Sequence, residues 1–202
     1  MDFFETVRKR QSIRRFSDLQ VAHEDILTML EAATMAPSAT NEQPWQFIVI
    51  RDEEMKTGMR DVVKTVLEAG ISEIADHPRR KRLEGMRMYS LHFADAPVAI
   101  AVLARPWKGG GSGSHPDATS YNLAQQSVAM AVAQFLLAAT ALGYGSCFAS
   151  APAEFAREEL EAMIGVEPPW FLLGIISLGK TIRQPRRRAP RKALEEVCTF
   201  IG

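Results

Sequence analysis

The chain has 202 residues, with 24 Lys and Arg against 24 Asp and Glu, and 47% of it is hydrophobic. That length suits one domain and that composition supplies a core, which excludes a disordered or collagenous chain. Zero net charge gives bulk electrostatics no preference for a polyanion, and Cys147 and Cys198 form neither a multi-bridge framework nor a metal-ligand spacing.

In chain order, Phe3, Phe4 and Val7 predict a short amphipathic first helix running into a basic segment. His23–Met35 follows as a helix with Ile26, Leu27, Leu30 and Ala33 on one face, stopped at Pro37. Pro44 precedes WQFIVI (45–50), a strand by its β-branched and aromatic content. Asp52, Glu53 and Glu54 suit a helix N-terminus and open a helix through about Ala69. Residues 76–92 are polar and basic and read as weakly helical, and PVAIAVLA (97–104) reads as a buried strand. GGGSGSHPD (109–117) predicts a loop, then a long apolar helix over about Ser120–Leu142. GSCFA (145–149) is a short strand, Ala153–Ile164 a helix, and WFLLGIISLG (170–179) a buried strand. The remaining tail reads as extended until Ala193–Phe200. Strands separated by helices predict α+β or α/β with a covered sheet.

Charge is unevenly spread. RKRQSIRR (8–15) carries five cations and KTIRQPRRRAPRK (180–192) seven, with no acid in either, so half the basic residues lie in two short stretches. They are either two solvated faces or one site for an anion such as a phosphate. A nucleic-acid partner would need base-stacking aromatics beside them, and none are evident. From Ala118 to Ala153 no charge occurs. Gln134 and Thr140 interrupt the apolar run 128–142, however, and its alanines suit close packing, so a buried core helix is expected rather than a membrane span. With no apolar leader at MDFFETVRKR, the expected location is cytoplasmic.

Two motifs match by letter and fail by context. Gly174–Thr181 fits GxxxxGK[ST], yet Ile, Ile, Ser and Leu fill its variable positions, and these belong in a strand rather than a phosphate loop. Gly143-Tyr144-Gly145 lacks the third glycine of a dinucleotide fingerprint. The histidines at 23, 77, 92 and 115 have no ligand spacing, and no metal site is expected.

Four segments carry information. Arg10-Gln11-Ser12-Ile13-Arg14 offers guanidinium and hydroxyl donors for a phosphate. Ala36–Trp45 (APSATNEQPW) joins a helix to a strand through small and amide residues, which suits the edge of a planar heterocycle or a plain connector. Gly143–Pro152 (GYGSCFASAP) follows the central helix, and Arg186–Lys192 leads to Leu194-Glu195-Glu196-Val197.

Together and in this order, these segments resemble the FMN-dependent nitroreductase family over nearly the whole chain. The resemblance implies a single FMN-binding domain over 1–202, with a variable lid at about 70–117 and an extended tail from 180. Its fold would be an α+β sandwich, a mixed and mostly antiparallel sheet flanked by helices, in an intertwined homodimer with FMN at the interface. It also implies a ping-pong cycle: NADH or NADPH reduces the flavin, and a nitroaromatic, quinone or similar small-molecule acceptor reoxidises it. Same-fold enzymes with other chemistry (reductive dehalogenation, flavin destruction, dehydrogenation) are the alternative. By resemblance, Arg10, Gln11, Ser12 and Arg14 would hold the FMN phosphate and ribityl chain. Pro37, Ser38, Ala39 and Asn41 would reach the isoalloxazine ring from the partner subunit. Ser150 and Ala151 would lie against the ring, the Ser150 N–H near flavin N5, and Arg188 and Arg191 would complete the phosphate site. No side chain is expected to be catalytic, since the cofactor carries the hydride chemistry. Two departures stand out: Ser150 occupies a position often Gly or Glu, and Ala189-Pro190-Arg191 replaces a common Lys-x-Arg. The central helix fits the same picture, since Val128, Val132, Phe135 and Leu136 could bury a dimer interface.

Overall fold

A computed structural model of the protein describes residues 2–109, 117–182 and 188–202, apart from the side chains of Arg79 and Met88. Its helices are α1 (Phe3–Lys9), α2 (His23–Thr34), α3 (Glu53–Ser72), α4 (His77–Leu91), α5 (Ala118–Ala141) and α6 (Ala151–Ile164). The strands β1 (Trp45–Ile50), β2 (Val98–Ala104), β3 (Gly145–Ala149) and β4 (Phe171–Gly179) form one antiparallel sheet in the order β1-β2-β4-β3. Among the described residues, the bridge from Ser12 to Ser146 supplies parallel pairing.

β2 and β4 take the centre because both of their faces are apolar. All of β2 is buried: Val98, Ile100, Val102 and Ala104 face one layer, Ala99, Ala101 and Leu103 the other. α2 and α5 cover the first layer through Ile26, Met29, Val128 and Phe135. α3 and α6 cover the second through Met59, Val63, Ala156 and Leu160. The result is the expected α+β sandwich, and each large side chain buried this way contributes roughly 1.5–3 kcal/mol.

Acidic caps set several helix starts. Asp2 accepts from Glu5 N at 3.0 Å, Asp52 from Met55 N at 2.6 Å and Asp117 from Ser120 N at 2.8 Å. Lys56 is fully buried, and its Nζ donates to Glu53 Oε1 at 2.7 Å and to the Ala96 carbonyl at 2.5 Å, fastening α3 to the entry of β2.

The segment read as weakly helical is helical: residues 77–91 form α4, with Leu83, Met86 and Ser90 toward the protein at helical spacing. Val128, Val132 and Phe135 are buried in the chain's own core rather than at a dimer interface, and Leu136 packs partly buried against that core. Because α5 is apolar on all sides, its sequence gave no phase for the face that meets the sheet. By length and composition α5 could cross a membrane, but that core face belongs to a sheet-packed helix. The tail keeps one short turn, Leu194–Glu196, with no regular structure over Val197–Gly202. Of the loop expected at 109–117, residues 110–116 lie outside the described residues, as do Arg183, Arg186 and Arg187. Gly174–Gly179 lies wholly within β4, which disposes of the phosphate-loop match. A Cβ at Gly174 would stand 2.6 Å from the Ala149 carbonyl oxygen, so this glycine serves strand packing.

Candidate active site

The basic segment after α1 is tied to the β3 edge of the sheet. Ser12 bridges Ser146, Ile13 N donates to the Ser146 carbonyl at 3.0 Å, and Ser17 N donates to the Lys180 carbonyl at 2.8 Å. Gly145 permits this approach, because a Cβ there would stand 2.7 Å from Ile13 Cγ2. Ile13 and Phe16 turn inward and pack with Ala96. Alternation along an extended segment then sends Ser12 and Arg14 the other way from Ile13.

Arginines from both ends of the sequence meet here. Burial lowers the Arg10 guanidinium below its ordinary range, and the like charges of Arg191 and then Arg188 push it further the same way. Arg188 Nη2 donates to the Val7 carbonyl at 3.1 Å, fixing the tail against the end of α1. Arg191 Nη1 donates to the Ala189 and Pro190 carbonyls at 3.1 and 3.2 Å. The ion pairs among the described residues involve none of Arg10, Arg14, Arg188 and Arg191. Crowded cations without a carboxylate form a receptor for a multiply charged anion.

Ser150 and Ala151 lie at the step from β3 to α6. The Ser150 hydroxyl donates to Glu154 Oε1 at 2.8 Å, so it is already engaged within the first turn of α6. Gln11 lies between Arg10 and Ser12 in the same segment.

Pro37, Ser38, Ala39 and Asn41 lie elsewhere. Their loop enters β1, the opposite edge strand, and Ala39 N donates to Ser127 Oγ of α5 at 3.2 Å. Three strand spacings, roughly 14 Å, separate the two edges. Trp45 also pairs at the Ala104–Phe171 end of the sheet, whereas Ser146 pairs with Leu178, roughly 24 Å further along the strand. One chain therefore does not bring Arg10, Gln11, Ser12 and Arg14 together with Pro37, Ser38, Ala39 and Asn41.

The loop holds a costly conformation. Thr40, Asn41 and Gln43 all have positive φ, at 52°, 57° and 51°. Ser38 Oγ accepts from Gln43 N at 2.9 Å, and Trp107 Nε1 donates to Thr40 Oγ1 at 2.9 Å. Arg105 Nη2 donates to the Glu42 carbonyl at 3.2 Å, and its Nη1 lies 3.6 Å from Glu42 Oε2 in a mostly buried pair.

Sequence reasoning missed the surroundings of Arg14. Tyr89 of α4 lies under its guanidinium, 4.8 Å from ring centroid to Cζ, and His92 and Cys147 are electrostatic neighbours. One signal was available: Ser177 is the lone polar side chain in an otherwise apolar central strand, and a buried hydroxyl needs partners.

A sequence profile described as the nitroreductase family matches residues 7–180, ending short of Arg188 and Arg191. A relative from Archaeoglobus fulgidus, provisionally named NADH dehydrogenase/NAD(P)H nitroreductase, is 32% identical over 171 residues, covering 84% of this chain and 80% of the relative. A BluB-like flavoprotein from Clostridium difficile 630 superposes with a TM-score of 0.88 at 30% identity, covering both chains in full. An oxidised iodotyrosine deiodinase, solved with FMN and 3-iodo-L-tyrosine, gives a TM-score of 0.75 at 26% identity, covering 98% of this chain and 99% of that one.

Proposed function

The chain belongs to the nitroreductase family, and from that premise we propose that it is an FMN-dependent oxidoreductase passing hydride from NADH or NADPH to a nitroaromatic, quinone or similar electron-poor acceptor. The observation that carries the reading is the crowding of Arg10, Arg188 and Arg191 with no ion-paired carboxylate among the described residues, which suits the dianionic phosphate of a flavin mononucleotide. The residues fit that group. Two tail arginines are added from a distant part of the chain, and Gly145 lets the Ser12 and Arg14 segment lie flat along β3. Each charge-assisted contact to the phosphate contributes about 1.5–3 kcal/mol. Bound there, the flavin supplies the hydride chemistry at N5, while the protein supplies binding, orientation and exclusion of water. Ser150 and Ala151 would border the ring, and Tyr89 on α4 would cover the Arg14 side of the site, which suits a lid segment within one FMN-binding domain.

The working unit is a homodimer in this reading, because Pro37, Ser38, Ala39 and Asn41 can join the arginine corner only from a second copy. Exposed apolar side chains support that assembly: Phe3 and Phe4 on α1, Met35, and Phe200 and Ile201 in the tail. A groove of about 560 Å³ between α1, α2 and α5, lined by Phe3, Ala32, Met35, Leu137 and Ala141, adds unpartnered apolar surface.

The likeness to an iodotyrosine deiodinase and to a BluB-like flavoprotein favours a second reading, reductive dehalogenation or another same-fold flavin chemistry. One experiment separates them: anaerobic visible spectra of the purified protein before and after NADH or NADPH, then after each acceptor. The proposal expects a bound flavin that bleaches and is reoxidised by a nitroaromatic or quinone. Reoxidation by a halogenated phenol alone selects the second reading, and a colourless protein that refuses added FMN overturns both.

A further inference from the structure

A buried polar chain lies behind the arginine corner. His92, just before β2, is 5% exposed, and its Nδ1 lies 3.1 Å from Ser177 Oγ in β4. The Ser177 hydroxyl donates to the Cys147 carbonyl at 3.2 Å, and Ser177 and Cys147 are paired across β3 and β4. A carbonyl only accepts, so a serine proton given to Cys147 is not available to Nδ1, and we assign it to that carbonyl. The Nδ1 contact is therefore an N–H donated to the serine oxygen, and a neutral imidazole with its proton on Nδ1 has a bare lone pair at Nε2.

His92 Nε2 is buried without a hydrogen-bond partner, and so is Arg14 Nε. The first is an acceptor and the second a donor. The two residues are neighbours: Ile13 and Phe16, on either side of Arg14, pack against Ala96, four residues after His92. Burial first, and the Arg14 charge second, lower the His92 pKa to about 4, so the imidazole is neutral at physiological pH. The opposite tautomer would turn an N–H toward a cation. Tyr89 lies against the Arg14 guanidinium, its ring centroid 4.8 Å from Cζ.

We propose that His92 is a positioning residue for Arg14: Ser177 holds the imidazole as the Nδ1–H tautomer, and Nε2 accepts the Arg14 Nε–H when cofactor binds, aiming both Nη groups at its phosphate and ribityl end. The inference rests on the FMN reading above. It assigns a role to a histidine that contacts no reacting atom and to a serine inside a core strand.

The test is a titration of FMN into the flavin-stripped full chain, for the wild type, His92→Phe, His92→Gln, Arg14→Ala and the Arg14→Ala/His92→Phe double variant, with melting curves alongside. His92→Phe weakens FMN binding about tenfold, the value of one charge-assisted hydrogen bond. His92→Gln, whose side-chain carbonyl reaches the place of Nε2, recovers most of that loss. In the Arg14→Ala background His92→Phe costs nothing further, because its effect runs through Arg14. Equal losses from His92→Phe in both backgrounds, or no loss in either, overturn the inference while leaving the FMN reading intact. A wild-type chain that binds no FMN overturns the reading itself, and the inference with it.

Discussion

The arginine corner and the amide loop occupy opposite edges of one sheet and are built in opposite ways. The corner is charged and fixed by backbone: Ile13 and Ser17 join the carbonyls of Ser146 and Lys180, and Gly145 removes the side chain that would keep them apart. The loop is neutral at its tip and fixed by side chains, with Ser127, Trp107 and Arg105 holding three residues at positive φ. Unpaired charge gives the corner affinity for an anion, but little shape. The loop has shape, held against roughly 1 kcal/mol or more of backbone strain at each such residue, and its one charge, Glu42, is already engaged by Arg105 and the Lys108 N–H. Each region lacks what the other supplies, and the sheet keeps the two apart within one chain.

If the corner is the electrostatically tense region, acid should damage it first. His92 is buried and neutral, with its pKa lowered to about 4, whereas the unfolded chain takes up that proton near pH 6.5. The unfolded state therefore binds more protons between those values, and stability falls as pH drops through that window, by about 3 kcal/mol in all. Melting temperatures from pH 7 to 4 should fall more steeply for the wild type than for His92→Gln. Identical slopes would remove His92 as the acid-sensitive group.

Charge deletion sharpens the contrast further. Arg10→Ala and Arg191→Ala should each weaken FMN binding by about ten- to a hundredfold, the equivalent of 1.5–3 kcal/mol. They should leave the melting temperature of the flavin-free chain unchanged or raise it, since each relieves repulsion among the guanidiniums. Unchanged FMN affinity in Arg191→Ala would show that the two ends of the chain do not share one phosphate. Gly145→Ala should act on shape at the corner, pushing Ile13 off β3 at a cost of roughly 1–3 kcal/mol and lowering both melting temperature and FMN affinity. The smallest effect belongs to the loop. Trp107→Phe removes the bond to Thr40, about 1 kcal/mol, and should change acceptor turnover more than FMN affinity.

The same contrast explains what was legible in the sequence. β2 and β4 are continuous apolar runs of strand length, so their burial on both faces could be read directly. The two basic stretches were visible as charge, but their meeting depends on the Ser12 bridge and on the Arg188 bond to Val7, which no spacing encodes. In the loop, the small and amide residues were plain. Its positive φ angles and the reach of Trp107 and Arg105 come from tertiary packing. α5 was legible as a core helix but not in its orientation, for a physical reason: with apolar residues on every side it has no stripe to mark its sheet-facing side, and Val128, Val132 and Phe135 turned inward.

The central claim is that the corner of one subunit and the loop of another form one site. It is tested most directly by co-expressing Arg10→Ala and Ser38→Trp chains carrying different tags and isolating the mixed dimer. In that dimer one site carries both defects and the other carries neither. One intact site per mixed dimer predicts FMN affinity and NAD(P)H-dependent turnover well above those of either variant alone. A mixed dimer no better than its parents, while a mixed-tag wild type works normally, would contradict it.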